Sequence, residues 1–178
     1  MKKMIAVVLL ILITLLIFFL QVNLFNVFNI SGIKPNLFIV LTVLIGLFIG
    51  NKKGVIFGCL AGVFIDSLTN ERLGSTSLML ASIGFFGEVC ENYFSKDNKI
   101  TIMLTVASST IIYEIGMYLM KIIKYNIIIE LIQFLKIMII EAVYNVLLVI
   151  ILYPIIKSVG KYIEENMKKK DFFKRYSD

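Results

Sequence analysis

Histidine and tryptophan are missing from this chain, and proline and cysteine occur only twice each. The lack of histidine removes Ser-His-Asp and Cys-His nucleophile pairs, histidine metal sites and histidine proton relays together. The two cysteines, Cys59 and Cys90, form no CxxC and no disulfide framework. Both are expected in the cytoplasmic half of a membrane, where thiols stay reduced, and they read as small apolar fillers. There is no Gly-rich phosphate loop, no pair of carboxylates set at a pocket and no metal-ligand spacing. Neither an enzyme nor a cofactor or metal site is expected.

Charge is scarce as well. Of 178 residues, 17% are charged and 59% are hydrophobic, so the chain cannot give a soluble domain of this length a polar surface. Its apolar residues fall in long blocks, and lipid is the solvent that such blocks suit. The expectation is an all-α integral membrane protein with about six transmembrane helices. The net charge of +6 invites a nucleic-acid reading. The excess lies in short segments flanking the apolar runs, however, where membrane topology explains it and no nucleic acid is needed.

The blocks place the helices. The run from Met4 to Leu20 follows Met1-Lys2-Lys3 like a signal peptide, but it is long and no small-x-small cleavage site follows. It reads as a retained first helix, extending toward Phe28. Gln21 to Pro35 is rich in Asn, Ser and Gly and works as a loop. Pro35 opens a second helix, 36–50, where its missing N–H costs nothing. After the tight turn Asn51-Lys52-Lys53 come a third helix at 54–68, a fourth at 76–94, a fifth at 100–120 and a sixth at 131–153. Lys121 to Glu130 reads as a mixed, partly interfacial connection. The expected division is a six-helix transmembrane domain, 1–156, and a basic amphipathic cytoplasmic tail, 157–178. The tail mixes Ile155, Val159, Tyr162 and Ile163 with Lys157, Lys161 and Lys168 to Lys170, which suits an interfacial helix continuing from the sixth.

Lysine and arginine set the orientation. Six crossings with the N-terminus inside put Lys2, Lys3, Lys52, Lys53, Lys96, Lys99, Lys157, Lys161, Lys168, Lys169, Lys170, Lys174 and Arg175 in the cytoplasm. Only Lys34, Arg72, Lys121 and Lys124 then lie outside, with Lys136 inside a helix. Both termini are therefore expected in the cytoplasm of a bacterial inner membrane.

Three features are candidates for function. Gly46, Gly50, Gly54, Gly58 and Gly62 recur every fourth residue across the second and third helices, nearly on one face of each. Such a face lets backbones approach closely, either between these two helices or against a partner's transmembrane helix. Asp66, Glu88, Glu91, Glu114, Lys136 and Glu141 sit in or beside apolar runs, where charges face protein or water. By depth, Glu114 and Lys136 are expected to pair, with Glu141 and Asn145 deeper on one face of the sixth helix; this polar network reads as structural, as a transport or proton site, or as a partner contact. Asp66 lies at a helix C-terminus, which the macrodipole disfavours, so it needs a partner. The expected partners are backbone N–H groups of the 69–75 loop, with Gly74 easing the turn.

The centre of the chain carries a resemblance. Pro35-Asn36 opens a helix, Gly54-Val-Ile-Phe-Gly-Cys-Leu-Ala-Gly-Val-Phe-Ile-Asp66 follows, and Leu73-Gly74 leads into a further apolar helix. In order and spacing this resembles the rod shape-determining protein MreD family over roughly residues 1 to 160. The resemblance makes Pro35, Asn36, Asp66, Leu73 and Gly74 the family positions. It implies a non-enzymatic scaffold of the bacterial elongation machinery. The implied partner is MreC, and through it the actin-like MreB, RodA and a class B penicillin-binding transpeptidase of peptidoglycan synthesis. The family is also similar at fold level to the S components of energy-coupling-factor transporters, so a vitamin-binding transporter subunit is the alternative. That alternative needs a ligand pocket on the outer face, to which Asp66, Asn70, Glu71 and Arg72 would contribute.

Overall fold

The computed structural model describes residues 2–25, 28–50, 52–68, 74–94, 98–125 and 130–174. Among them are six α-helices and no strand. We name them α1 (Lys2–Phe19), α2 (Leu37–Ile49), α3 (Lys53–Leu68), α4 (Ser75–Tyr93), α5 (Lys99–Tyr125) and α6 (Leu131–Lys174). A π-helical turn, Leu20–Leu24, extends α1. Two helices, over Lys99–Ile123 and Leu131–Tyr162, are long and apolar enough to cross a membrane. Val7–Asn23 and Leu37–Ile49 are shorter apolar stretches.

The helix α2 is the axis of the bundle. It packs against α3, α4, α5 and α6, and eleven of its thirteen residues are buried, which leaves it no lipid- or water-facing side. Its start is fixed by Asn36, whose side-chain oxygen accepts from the Ile39 N–H, and by buried Pro35 just before. Its end is fixed by Gly50 at φ +59°, followed by Lys52 at φ +62°. A Cβ at Gly50 would strike the Glu91 carboxylate. The α2–α3 turn is thus both left-handed and crowded.

The third helix inverts the usual amphipathic pattern. The residues α3 buries are Gly54, Gly58, Ala61, Gly62 and Asp66, while Ile56, Leu60, Val63 and Phe64 face outward. Around the apolar core centred on α2, the described residues elsewhere show the same tendency. Thr42, Asp66, Thr76, Thr110, Glu141 and Asn145 are buried, whereas large apolar residues of α1, α3, α5 and α6 are exposed. Water would penalise that surface, and a bilayer's acyl chains suit it.

Two helices are longer than their apolar runs suggest. The helix α5 continues past Met120 to Tyr125, taking in part of the stretch expected as a mixed connection. The helix α6 does not end near Tyr153; it runs through Pro154 to Lys174, so the basic tail is its direct continuation. Pro154 removes one backbone donor, a loss of about 3 kcal/mol in a soluble helix but commonly tolerated in apolar ones. The Gln21–Pro35 segment, expected as loop, begins inside the π-turn and contains a tight reversal. There Ile30 and Ile33 pair across Ser31 (φ +54°) and Gly32 (φ +80°).

Candidate functional site

The five spaced glycines lie against α4, which their spacing alone did not indicate. A Cβ on Gly46 would meet the Gly84 carbonyl, one on Gly58 the Leu80 carbonyl, and one on Gly62 the backbone of Ser77. A Cβ on Gly54 would come within 2.6 Å of the Gly46 Cα and 2.8 Å of the Gly84 oxygen. The reciprocal surface of α4 is Gly84, where a Cβ would strike the Gly54 carbonyl, and Gly87, where a Cβ would come within 2.6 Å of the Val43 oxygen. The obstacles are backbone atoms, which cannot swing aside. Three helices therefore meet on one glycine seam, and the four helical glycines of that face are already covered from within the chain. Gly84 and Gly87 belong to the seam equally. Their signal was in the sequence: with Leu80 and Ile83 they repeat at three- and four-residue spacing.

At one end of the seam stands Asp66, 1% exposed. Its carboxylate accepts from the N–H groups of Gly74 (2.8 Å), Thr76 (3.3 Å) and Ser77 (3.4 Å). The cost of placing a carboxylate at the C-terminal end of α3 is offset because the same group sits on the N-terminus of α4. There it satisfies otherwise unpaired donors and meets the favourable end of the helix dipole. Gly74, at φ +111°, is the N-cap residue and supplies no side-chain cap of its own. Asp66 replaces it from another helix. Leu73, Arg72, Glu71 and Asn70 lie outside the described residues.

Pro35 and Asn36 belong to the same end. The Asn36 N–H donates to the Asn145 side-chain oxygen (2.8 Å), and the Asn145 amide donates to the Thr110 hydroxyl (3.0 Å). Asn145 is fully buried and so ties α6 to α2 and α5. Gln21 in the π-turn donates to the Pro35 carbonyl (2.8 Å) and accepts from the Leu37 N–H (3.1 Å). It thereby fastens the end of α1 to the start of α2, a role hidden while Gln21 read as a loop residue. Tyr144 adds a bond from its hydroxyl to the Phe28 carbonyl (2.9 Å). Tyr113, buried on α5, hydrogen-bonds Thr76 and Asn36. All six helices thus converge here through polar groups.

The expected Glu114–Lys136 pair is not what joins α5 to α6. Glu114 lies against Glu141 of α6, and Lys136 is exposed on α6. Depth along the helices placed Lys136 and Glu114 at one level, but Lys136 points off the α5-facing side that carries Phe134, Glu141 and Asn145. One Glu141 oxygen is buried without a hydrogen-bond partner, as are the Thr42 and Ser109 hydroxyls.

The opposite end is built from charge. Glu88 accepts from the Lys52 N–H (3.0 Å), and with Glu91 beside Gly50 two α4 carboxylates bracket the α2–α3 turn. Lys99 at the start of α5 and Lys157 on α6 both lie over the Tyr153 ring, at 5.6 and 5.8 Å from its centre. Among the described residues no cluster of three or more His, Cys, Asp or Glu is placed to hold a metal.

A helical bundle with an apolar exterior, a glycine-packed seam and polar groups turned inward defines the class: an α-helical protein suited to lipid. The chain matches the family model for rod shape-determining protein MreD over residues 1–162, which takes in every element of the seam and of both ends. It belongs to the MreD family, and its role is in rod-shape determination. No curated protein and no solved structure matches it significantly.

Proposed function

We propose that this chain is a non-enzymatic, multi-pass scaffold in the bacterial cytoplasmic membrane. In this reading it crosses six times, keeps both termini in the cytoplasm, and links MreC and the peptidoglycan synthases to the MreB filament. RodA and the class B penicillin-binding transpeptidase are reached through MreC. The observation that carries the reading is the Asp66 cap. One carboxylate, at a family position, ties the end of α3 to the N-terminus of α4 from inside the bundle, so these two helix ends form a fixed base. With the lysine-rich end in the cytoplasm, that base faces outward, where MreC docks. A vitamin-binding role gains no support from this end, because Asn36, Thr76, Tyr113 and Asn145 bond one another and the helix backbones.

Topology and docking are tested separately. A single cysteine at position 98 should stay shielded from an impermeant thiol reagent in intact cells, and one at position 70 should react. Labelling of 98 from outside overturns the six-crossing arrangement. For docking, an Asp66→Leu protein that accumulates at the normal level should fail to co-purify MreC, and its cells should lose rod shape. Retention of MreC and of rod shape would remove the docking role.

A further inference from the structure

We infer that Lys99, Tyr153 and Lys157 form a binding site for the phosphodiester headgroup of an anionic phospholipid of the inner leaflet. The site rests on the six-crossing reading above, which places these residues at the cytoplasmic surface. Two ammonium groups from different helices, 58 residues apart in sequence (157 − 99), converge on one aromatic ring. Among the described residues neither of them has a carboxylate partner. Like charges brought together in this way repel, and a cation in the first turn of a helix is further disfavoured by the helix dipole. Lys99 occupies that turn in α5, and the first turn holds no acidic residue to offset it. The cation–π contacts hold each ammonium in place without neutralising it.

An anion between or beside the two lysines removes the repulsion. Tyr153 and Lys157 are half-buried, Lys99 is exposed, and Ile100, next to Lys99 on α5, is an exposed apolar residue. A ligand with a phosphate and an acyl chain fits that pairing: the phosphate meets the ammonium groups and the chain lies along the apolar surface of α5 that begins at Ile100. Inorganic phosphate shares the charge but has nothing to place against the apolar surface.

The experiment uses the full-length chain in phosphatidylcholine nanodiscs with or without phosphatidylglycerol. The readout is lipid retained by the protein on release, measured by native mass spectrometry. The double variant Lys99→Gln/Lys157→Gln should retain about tenfold less phosphatidylglycerol or lower still, with phosphatidylcholine unchanged. Lys99→Arg/Lys157→Arg should retain it, and the charge-matched control Lys34→Gln/Lys136→Gln should behave as wild type. Equal loss in that control would overturn the site, since bulk charge would then explain the binding. So would displacement of the lipid by millimolar inorganic phosphate, which would identify a simple anion site. Should the glutamine variant fail to fold, photoreactive phosphatidylglycerol on the wild-type chain decides the matter. Crosslinks must concentrate on the segments around 99 and 153–157, and an even spread over the protein rejects the proposal. Failure of the topology is read independently, from thiol labelling at position 98.

Discussion

The helices α1 and α2 look alike in the sequence and live in different surroundings. Each is a run of Leu, Ile, Val and Phe with almost no polar residue. Yet α2 is buried on all sides, while none of the described side chains within α1 is buried and Ile11, Leu12, Leu15, Leu16 and Phe19 all face out. Hydropathy cannot separate the two, because lipid and a protein interior are both apolar. What separates them is the neighbour. The central helix meets Gly54 on α3 and Gly84 and Gly87 on α4, whose missing side chains let backbones come together. By contrast, α1 offers no glycine or serine at all and touches the bundle through Leu10, Ile17 and Phe18, with its far end fastened by Gln21 and Phe25.

The comparison is broken most severely by filling the seam. Gly84→Leu places a side chain against the Gly54 backbone, which cannot yield, and Gly58→Leu does the same against Leu80. Each should cost at least about 3 kcal/mol and remove folded protein from size-exclusion profiles in detergent. Normal elution of both variants would mean that α4 does not sit on the seam.

Asp66 comes next. Asp66→Leu strands the buried N–H groups of Thr76 and Ser77 and the N–H of Gly74 at the start of α4, and a loss of about 3 kcal/mol is expected in thermal unfolding in detergent. Asp66→Asn keeps one acceptor oxygen and should lose about half as much. An Asn variant as damaged as the Leu variant would show that charge at the helix end, rather than hydrogen bonding, is what matters.

Asn145→Ala opens the link from α6 to α2 and α5, leaving the Asn36 N–H without its acceptor. A loss of about 1–2 kcal/mol is expected, with position 36 exchanging its amide hydrogen faster. Unchanged exchange there would place the Asn36 N–H elsewhere.

These sites also mark how far the sequence reaches. Helix starts were legible wherever a capping or turn residue announces them, as at Pro35-Asn36 and Gly50 to Lys53. The Asp66 bonds were legible in part, because a carboxylate at a helix C-terminus demands donors; Gly74 lies in the expected 69–75 loop, while Thr76 and Ser77 donate from beyond it, in the first turn of α4. Long-range partners were not. Spacing puts Gly46 and Gly54 on a face without naming the helix opposite, and α4 carries its own glycines only at 84 and 87. Depth put Lys136 level with Glu114, but rotation about the α6 axis, set by which side carries Asn145, decided for Glu141. The end of α5 was missed because no glycine stands near Tyr125 to announce it, whereas the continuation of α6 into the tail was legible in the apolar and basic residues beyond Pro154, which is absorbed into the helix rather than stopping it.

The smallest expected effect bears directly on α1 and α2. Leu12 on α1 is 56% exposed and Leu47 on α2 is fully buried, though each stands in an apolar run. Truncating Leu47 to Ala opens a void in the packed centre, and about 2–4 kcal/mol of stability should be lost. Truncating Leu12 exchanges one lipid-facing side chain for a smaller one. Acyl chains fill the space as readily as leucine did, so the change should stay within about 0.5 kcal/mol. The pair is measured by thermal unfolding of Leu12→Ala and Leu47→Ala in the same detergent. A large loss for Leu12→Ala would mean that protein, not lipid, covers that face of α1. Repeating the measurement with MreC, the proposed partner, present then distinguishes the cases. If the Leu12→Ala deficit appears only with MreC, α1 is the helix on which the proposed partner rests. If it appears in the isolated chain, α1 packs more tightly than its exposure indicates, and the contrast with α2 narrows to one of degree.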